Sequence, residues 1–200
     1  MTEEPEVLSD DACGEDPPAE ESGTQGPLAE LFIALTARSR GEQGKLSIGV
    51  ERQRLLDALH ATPDELTHLL GSLREKIGPL GLEVIEYYSE RELWLALRSV
   101  HACPNELGVD AQAILGVLMG MIEGEESPET IRIPVADLRD RLVRGRYLSE
   151  YQLDSNLKVL ESLGFVRRSR SGVGYGPRTL IEYTQERREN IRDQARELVF

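Results

Sequence analysis

The sequence predicts an α+β fold in which one small unit, three helices and a hairpin, is used twice. Three observations predict it. Thr62-Pro63-Asp64-Glu65 and Ser149-Glu150-Tyr151-Gln152 are both capping boxes, 87 residues apart. Each is followed by leucines at helical spacing and then by a Leu-Gly junction opening a strand, Leu80-Gly81-Leu82 and Leu163-Gly164-Phe165. An earlier apolar helix recurs as well, from Leu28 to Ile114, an offset of 86.

In the first unit, Leu28, Leu31, Phe32 and Leu35 make one helical stripe, broken by Gly41 and Gly44. An extended piece, Lys45 to Ile48, leads into a second helix around Leu55, Leu56 and Leu59. Thr62 caps the third helix, Pro63 suits its first turn, and Leu66, Leu69, Leu70, Leu73 and Ile77 form one face. Gly78-Pro79 ends it. Two strands follow, about Leu82–Tyr88 and Leu93–Arg98, joined by a short polar link into a hairpin.

Residues 99–108 read as a connector. The second unit opens with Ile114, Leu115, Leu118, Met121 and Ile122 on a helix. Ile131–Ile133 is a short strand, and Pro134 begins a second helix with Leu138 and Leu142 that Gly145 breaks. The third helix buries Leu153, Leu157 and Leu160. A strand over Phe165–Arg168, a glycine-rich tip from Gly172 to Pro177 and a return strand Thr179–Tyr183 are expected next. Thr184 caps a last helix with Ile191, Ala195 and Leu198 as its sparse apolar side. Helix, short strand, helix, capped helix, hairpin is the order of a winged helix, here in tandem. The expected division is 27–100, a connector 101–108, and 109–200.

Net charge is −13, but residues 1–26 hold nine acidic side chains and no Lys or Arg. The remainder has 27 acidic and 23 basic residues, so the acidity belongs mostly to this segment. Its few apolar residues cannot offset the cost of ordering it, and it is expected to be a disordered acidic tail. It would act as a solubilising tail, a mimic of nucleic-acid charge or a tether. No apolar stretch approaches a membrane span, and no basic-then-apolar leader opens the chain. Two cysteines, Cys13 and Cys103, build no disulfide framework, so a reduced cytoplasm is expected.

Winged helices often place the third helix in the DNA major groove. Here Arg74 and Lys76 face Asp64, Glu65 and Glu75 on the first third helix, and sit at its far end. The second has Lys158 against Glu150, Asp154 and Glu161. Two net-acidic helices argue against ordinary operator reading, because phosphate neutralisation supplies much of the affinity. The second wing differs: Arg167, Arg168, Arg170 and Arg178 stand there without an acid from Gly164 to Ile181. Arg139, Arg141, Arg144 and Arg146 precede the third helix, with Asp137 and Asp140 interleaved. These eight arginines are the candidate contacts to double-stranded DNA, through its backbone and tolerant of sequence. The competing reading is that they are solvated or pair with the acidic third helix.

No enzyme is expected, and no cofactor or metal. His60 and His68 straddle a helix boundary, and His101-x-Cys103 is half a metal motif. Gly172-x-Gly174-x-Gly176 lies between strands, not ahead of a helix, so the dinucleotide fingerprint lacks its context.

Several stretches resemble a known group. Leu80-Gly81-Leu82-Glu83-Val84-Ile85-Glu86 with Glu92-Leu93-Trp94-Leu95-Ala96-Leu97 is similar to the first hairpin of the kleisin-interacting tandem winged-helix proteins. That group comprises the segregation-and-condensation protein B family and the MAGE-type subunits of SMC complexes. Ala113-Ile114-Leu115-Gly116-Val117-Leu118 with Glu123-Gly124, and Tyr175-Gly176-Pro177-Arg178 with Glu182, look like the MAGE-type branch. The likeness spans about residues 28–196. It implies a non-catalytic scaffold that clasps a kleisin and, through it, an SMC ATPase, with double-stranded DNA touched by some members. A nucleoid-associated place within the cytoplasm is implied by this resemblance alone. A groove between the units would hold the partner segment, as a helix or an added strand. Tyr87, Tyr88 and Trp94 are the candidate anchors there, against the alternative of packing the core or the contact between units. A homodimer is a further expected partner if the last helix exposes apolar residues; Glu186, Arg187, Arg188 and Glu189 make it mainly polar. The other functional reading is a winged-helix DNA-binding transcriptional regulator.

Overall fold

The computed structural model describes residues 26–40, 45–89, 91–100 and 107–199, with residues 198 and 199 by backbone alone. The acidic segment up to residue 25, the connector residues 101–106 with His101-x-Cys103, and the side chain of Leu198 therefore lie outside the described residues.

Helix α1 (Pro27–Thr36) buries Leu31 and Leu35. It stops before Gly41: Ala37 turns extended, and β1 (Arg38–Arg40) pairs antiparallel with β2 (Leu46–Ile48). The alternation Arg-Ser-Arg has no apolar residue with which to continue the helical stripe, so a strand replaces the expected helical turn. Gly49, at φ +80°, ends β2; a side chain there would collide with the carbonyl of Leu95. Then come β3 (Val50–Glu51), α2 (Arg52–Leu59) and α3 (Pro63–Ile77). The box at Thr62 closes as read: Glu65 N–H donates to Thr62 Oγ1, and Thr62 N–H donates to Glu65 Oε2 at 2.7 Å. Those bonds to Thr62, its backbone N–H first, hold the Glu65 carboxyl below its ordinary range. Strands β4 (Leu82–Ser89) and β5 (Glu92–Ser99) form a hairpin, and the sheet order β3-β5-β4 leaves β4 at an edge.

The second half starts with α4 (Val109–Ile122), buried almost all round because α6 and α8 pack on it. Of the strand expected at 131–133, one residue pairs: Ile133 exchanges both backbone hydrogen bonds with Val173, each 2.8 Å. Helix α5 (Val135–Arg139) continues as a π-helical turn through Asp140–Arg144. Helix α6 (Glu150–Ser162) has the second capping box, Ser149 with Gln152.

The wing differs from the expectation. Its strands are β6 (Val166–Ser169) and β7 (Gly172–Tyr175), so the glycine-rich run is the return strand and Arg170-Ser171 the turn. Added side chains at Gly172 and Gly174 would strike the carbonyls of Ile133 and Ile131, so close backbone approach, not a mobile tip, requires these glycines. The stretch expected to return as a strand is instead α7 (Pro177–Glu182), started by Pro177 and anchored by buried Thr179, whose Oγ1 donates to Phe165 O at 2.6 Å. Helix α8 (Gln185–Val199) follows, with Arg187 N–H donating to Thr184 Oγ1. Ala195 is buried on it and Ile191 packs against the second core.

Two cores result. One gathers Leu31, Leu55, Leu66, Leu70 and Leu95 under the first sheet; the other gathers Ile114, Leu118, Leu153, Leu157 and Tyr175 around α4. A third, smaller cluster joins them: Ile48, Tyr87 and Ala96 from the first half with Ile181 of α7.

Candidate partner-binding site

The first hairpin is buried on both faces, and its register explains how. Val84 pairs with Leu97, and both face the first core. On the opposite face Glu83 pairs with Arg98, Ile85 with Ala96 and Tyr87 with Trp94, and this face meets the second half. Arg98 bonds Glu83 at 2.7 Å and donates from Nη1 to Ile181 O at 3.0 Å. Arg167 of the wing donates from Nη1 to Ser89 Oγ at 2.7 Å, and Arg40 from Nη2 to Ser162 O at 3.0 Å. The seam between the halves is thus apolar at its centre and hydrogen-bonded at its rim.

A groove of about 310 Å³ opens beside this seam, between β4 and the α7–α8 junction. Ile85, Tyr88, Leu180 and Tyr183 give it apolar surface; Glu86, Glu129 and Arg188 supply charge. Arg188 is only 6% exposed and Glu123 3%. Arg188 Nε donates to Glu123 Oε1 at 2.6 Å, and Tyr175 OH donates to the same oxygen at 2.9 Å. Glu123 stands at the C-terminal end of α4, where a carboxylate opposes the helix dipole, so these two donors are what hold it there. Burial first, then the Glu123 carboxylate, drives the Tyr175 hydroxyl far above its ordinary range. Burial also raises Tyr183.

The three expected anchors separate. Tyr87 is 5% exposed and its hydroxyl donates to Ile48 O at 2.6 Å; burial pushes its pKa up to about 12. Trp94 is half-buried, its ring 6.3 Å from that of Tyr87, and its Nε1–H is buried with no acceptor among the described residues. Both belong to the seam, the placement set against an anchoring role, because hairpin register turns Tyr87 inward. Tyr88, 55% exposed, lines the groove.

The arginines separate too. Arg178 is turned inward, paired with Glu182 and lying 4.3 Å over the Phe165 ring, which removes it from the exposed set. Arg139 faces Glu150 of the third helix at 3.6 Å, the pairing set against DNA contact, whereas Arg144 faces Asp140 of its own helical turn at 3.2 Å. Arg141 is half-buried, and Arg146 is exposed in the left-handed region at φ +63°. Arg167 is engaged at the seam, Arg168 is half-buried, and Arg170 stands exposed at the wing turn. Sequence reading missed Arg40 and Lys45, which β1–β2 bring to the second half: Arg40 reaches Ser162 O, Leu46 meets Gly164, and Lys45 and Arg167 line one small cavity. Arg38 and Arg40 at strand spacing were the available signal. Among the described residues no cluster of His, Cys, Asp or Glu could hold a metal ion, and no helix is long and apolar enough to cross a membrane.

Two three-helix units, each carrying a hairpin, define a tandem winged-helix protein of the α+β class. No family model matches the chain, and no curated protein does. Among solved structures it is similar to a chain of one described as "Nse1-Nse3-Nse4 complex", at 12% identity and a TM-score of 0.49, over 84% of this chain and 74% of that one.

Proposed function

We propose that this chain is a non-catalytic accessory subunit of an SMC-type chromosome-organising complex, clasping a segment of its kleisin and, through it, an SMC ATPase. The observation that carries the reading is the edge position of β4 beside a part-apolar groove at the junction of the halves. An edge strand offers backbone donors and acceptors to an added strand, and Tyr88, Ile85 and Leu180 offer side-chain contacts. Both third helices carry more acid than base, which disfavours groove reading of DNA and leaves protein binding as their compatible role. The hairpin and Gly-Pro-Arg stretches quoted above support the same family reading.

The exposed wing turn supports a secondary contact to duplex DNA through Arg168 and Arg170, made to the backbone and indifferent to sequence. A transcriptional regulator would differ by selecting a sequence.

The test mixes the chain with a kleisin fragment at micromolar concentration and follows gel filtration and calorimetry. A co-eluting complex is expected, weakened about tenfold by Tyr88→Ala, the scale of a modest interface anchor. No shift in elution ends this reading. For DNA, Arg168→Ala with Arg170→Ala should lower the salt slope of duplex binding by about 2; an unchanged slope removes that contact.

A further inference from the structure

The groove beside β4 holds a charge that the fold does not answer, and it runs along a strand edge whose backbone is open. Gly81 O accepts from Val100 N–H at 3.0 Å, and the hairpin keeps that register to Ser89 and Glu92. Hydrogen-bonded pairs alternate in an antiparallel ladder, so Glu83, Ile85 and Tyr87 direct their backbone groups at β5. Val84, Glu86 and Tyr88 then point N–H and C=O outward, and no other backbone group among the described residues bonds them. Four consecutive residues, Ile85 to Tyr88, line the groove, as a strand does only along its edge. Four strand residues span about 13 Å. Most charge here is matched within the fold: Arg188 is bound to Glu123, Arg98 to Glu83, and Glu86 to Arg74 at 3.6 Å. Glu129 is the exception. It is half-buried and lines the groove, and its carboxylate has no ion pair or hydrogen bond among the described residues. All 23 Lys and Arg of the chain belong to those residues. Arg132, three positions on, donates from Nη1 to the main-chain oxygens of Glu129 and Ile131. Arg187 lies 5.1 Å over the Tyr183 ring, outside the groove lining.

We infer that the segment added to β4 is a short strand with one Lys or Arg directed at Glu129 and apolar residues on either side of it along the same face. This inference rests on the functional reading, strand addition at the groove. In an added strand, side chains opposite Ile85 and Tyr87 point toward the second half, since alternate residues share a face. There they meet Leu180 and Tyr183, which suit apolar groups, and Glu129, which suits a cation. Side chains opposite Glu86 lie on the other face, where Arg74 already matches the charge. A half-buried carboxylate without a partner is tolerated while water reaches it. Seating an apolar strand removes that water, so an uncharged or acidic segment leaves Glu129 desolvated and alone, and a basic one does not. The groove therefore selects by a penalty against wrong segments as well as by attraction to the right one.

The experiment uses the full chain and the same kleisin fragment, with calorimetry for affinity and amide signals for position. Glu129→Gln should weaken binding about fivefold and Glu129→Lys about tenfold or more. Each Lys and Arg of the fragment is also changed to Glu in turn. One such change should weaken binding to the native chain and regain it with Glu129→Lys. These changes are read on the native chain first, so a variant that folds poorly does not decide the outcome. Backbone amides of Glu86 and Tyr88 should shift when the native fragment binds. A fragment that binds both Glu129 variants with unchanged affinity, or that binds without moving those amides, overturns this inference and leaves kleisin binding standing. A fragment that does not bind at all overturns the functional reading, and the peptide Val-Thr-Lys-Thr-Val, with counterparts holding Gln or Glu in place of Lys, then decides the groove by itself. Shifts at Glu86 and Tyr88 with the Lys peptide alone uphold the inference; equal or absent shifts with all three overturn it.

Discussion

The two hairpins follow the same pattern of a capped helix and a Leu-Gly junction, yet they sit in opposite surroundings. The first has eight-residue strands with apolar side chains on both faces: Val84, Leu95 and Leu97 to one core, Ile85, Tyr87 and Ala96 to the seam. The second has four-residue strands, packs Val166, Val173 and Tyr175 on its own core, and leaves its turn exposed. A wing buried on both faces is an adhesive between units and is unavailable to a nucleic acid. A wing with one free end remains available. The same local pattern is therefore packed differently in the two halves.

The comparison can be broken most forcefully at the base of the second wing. Glu123→Gln leaves Arg188 buried with no carboxylate and should cost about 3–5 kcal/mol, as losing one partner of a buried pair does. Urea unfolding followed by circular dichroism measures it; a loss below about 1 kcal/mol would mean that the wing needs no such clamp.

The first hairpin is tested more gently by Tyr87→Phe. Losing the bond to Ile48 O should cost about 1 kcal/mol near neutral pH. The pH dependence gives a second readout. Tyr87 titrates near 12 when folded against about 10 unfolded, so the unfolded chain loses the proton first. Stability owed to the neutral hydroxyl is whole below pH 10, and the fold loses up to about 1.4 kcal/mol per pH unit between pH 10 and 12 as the unfolded chain alone gives up the proton. Tyr87→Phe should flatten that fall by one proton's share, while Tyr175 and Tyr183, also raised, retain theirs. A slope unchanged by the substitution would place Tyr87 outside the seam.

The smallest effect is the one that should be equal in the two halves. Thr62→Ala and Ser149→Ala each remove a closed capping box and should each cost about 1 kcal/mol. Unequal losses, read from the same urea curves, would show that the shared pattern has diverged even at its caps.

Capped helices, leucine stripes and the first hairpin were legible because each depends on residues close in the chain: a hydroxyl three positions before a Glu or Gln, leucines three and four apart. What failed did so where distant backbone intervened. The Gly172–Gly176 run reads locally as a turn, but its glycines answer to the carbonyls of Ile131, Ile133 and Gly164, which no local pattern announces. Thr179–Tyr183 has β-favouring residues and is helical, because Pro177 starts a turn that Thr179 ties to Phe165. Of the candidate site, the aromatics and arginines were found as types, while their division into seam, ion pair and exposed surface was not.

By itself the sequence determined the unit, its repetition, the acidity of the third helices and the concentration of charge in the first 26 residues. Those are properties of composition and short-range periodicity. Tertiary structure alone decided that Tyr87 faces inward and Tyr88 outward, that Arg178 is covered, and that β1 brings Arg40 to the end of α6. The strand residues turn on which face of a strand meets the other half, which strand pairing across long separations fixes, while Arg178 is covered where helix α7 folds back on Phe165.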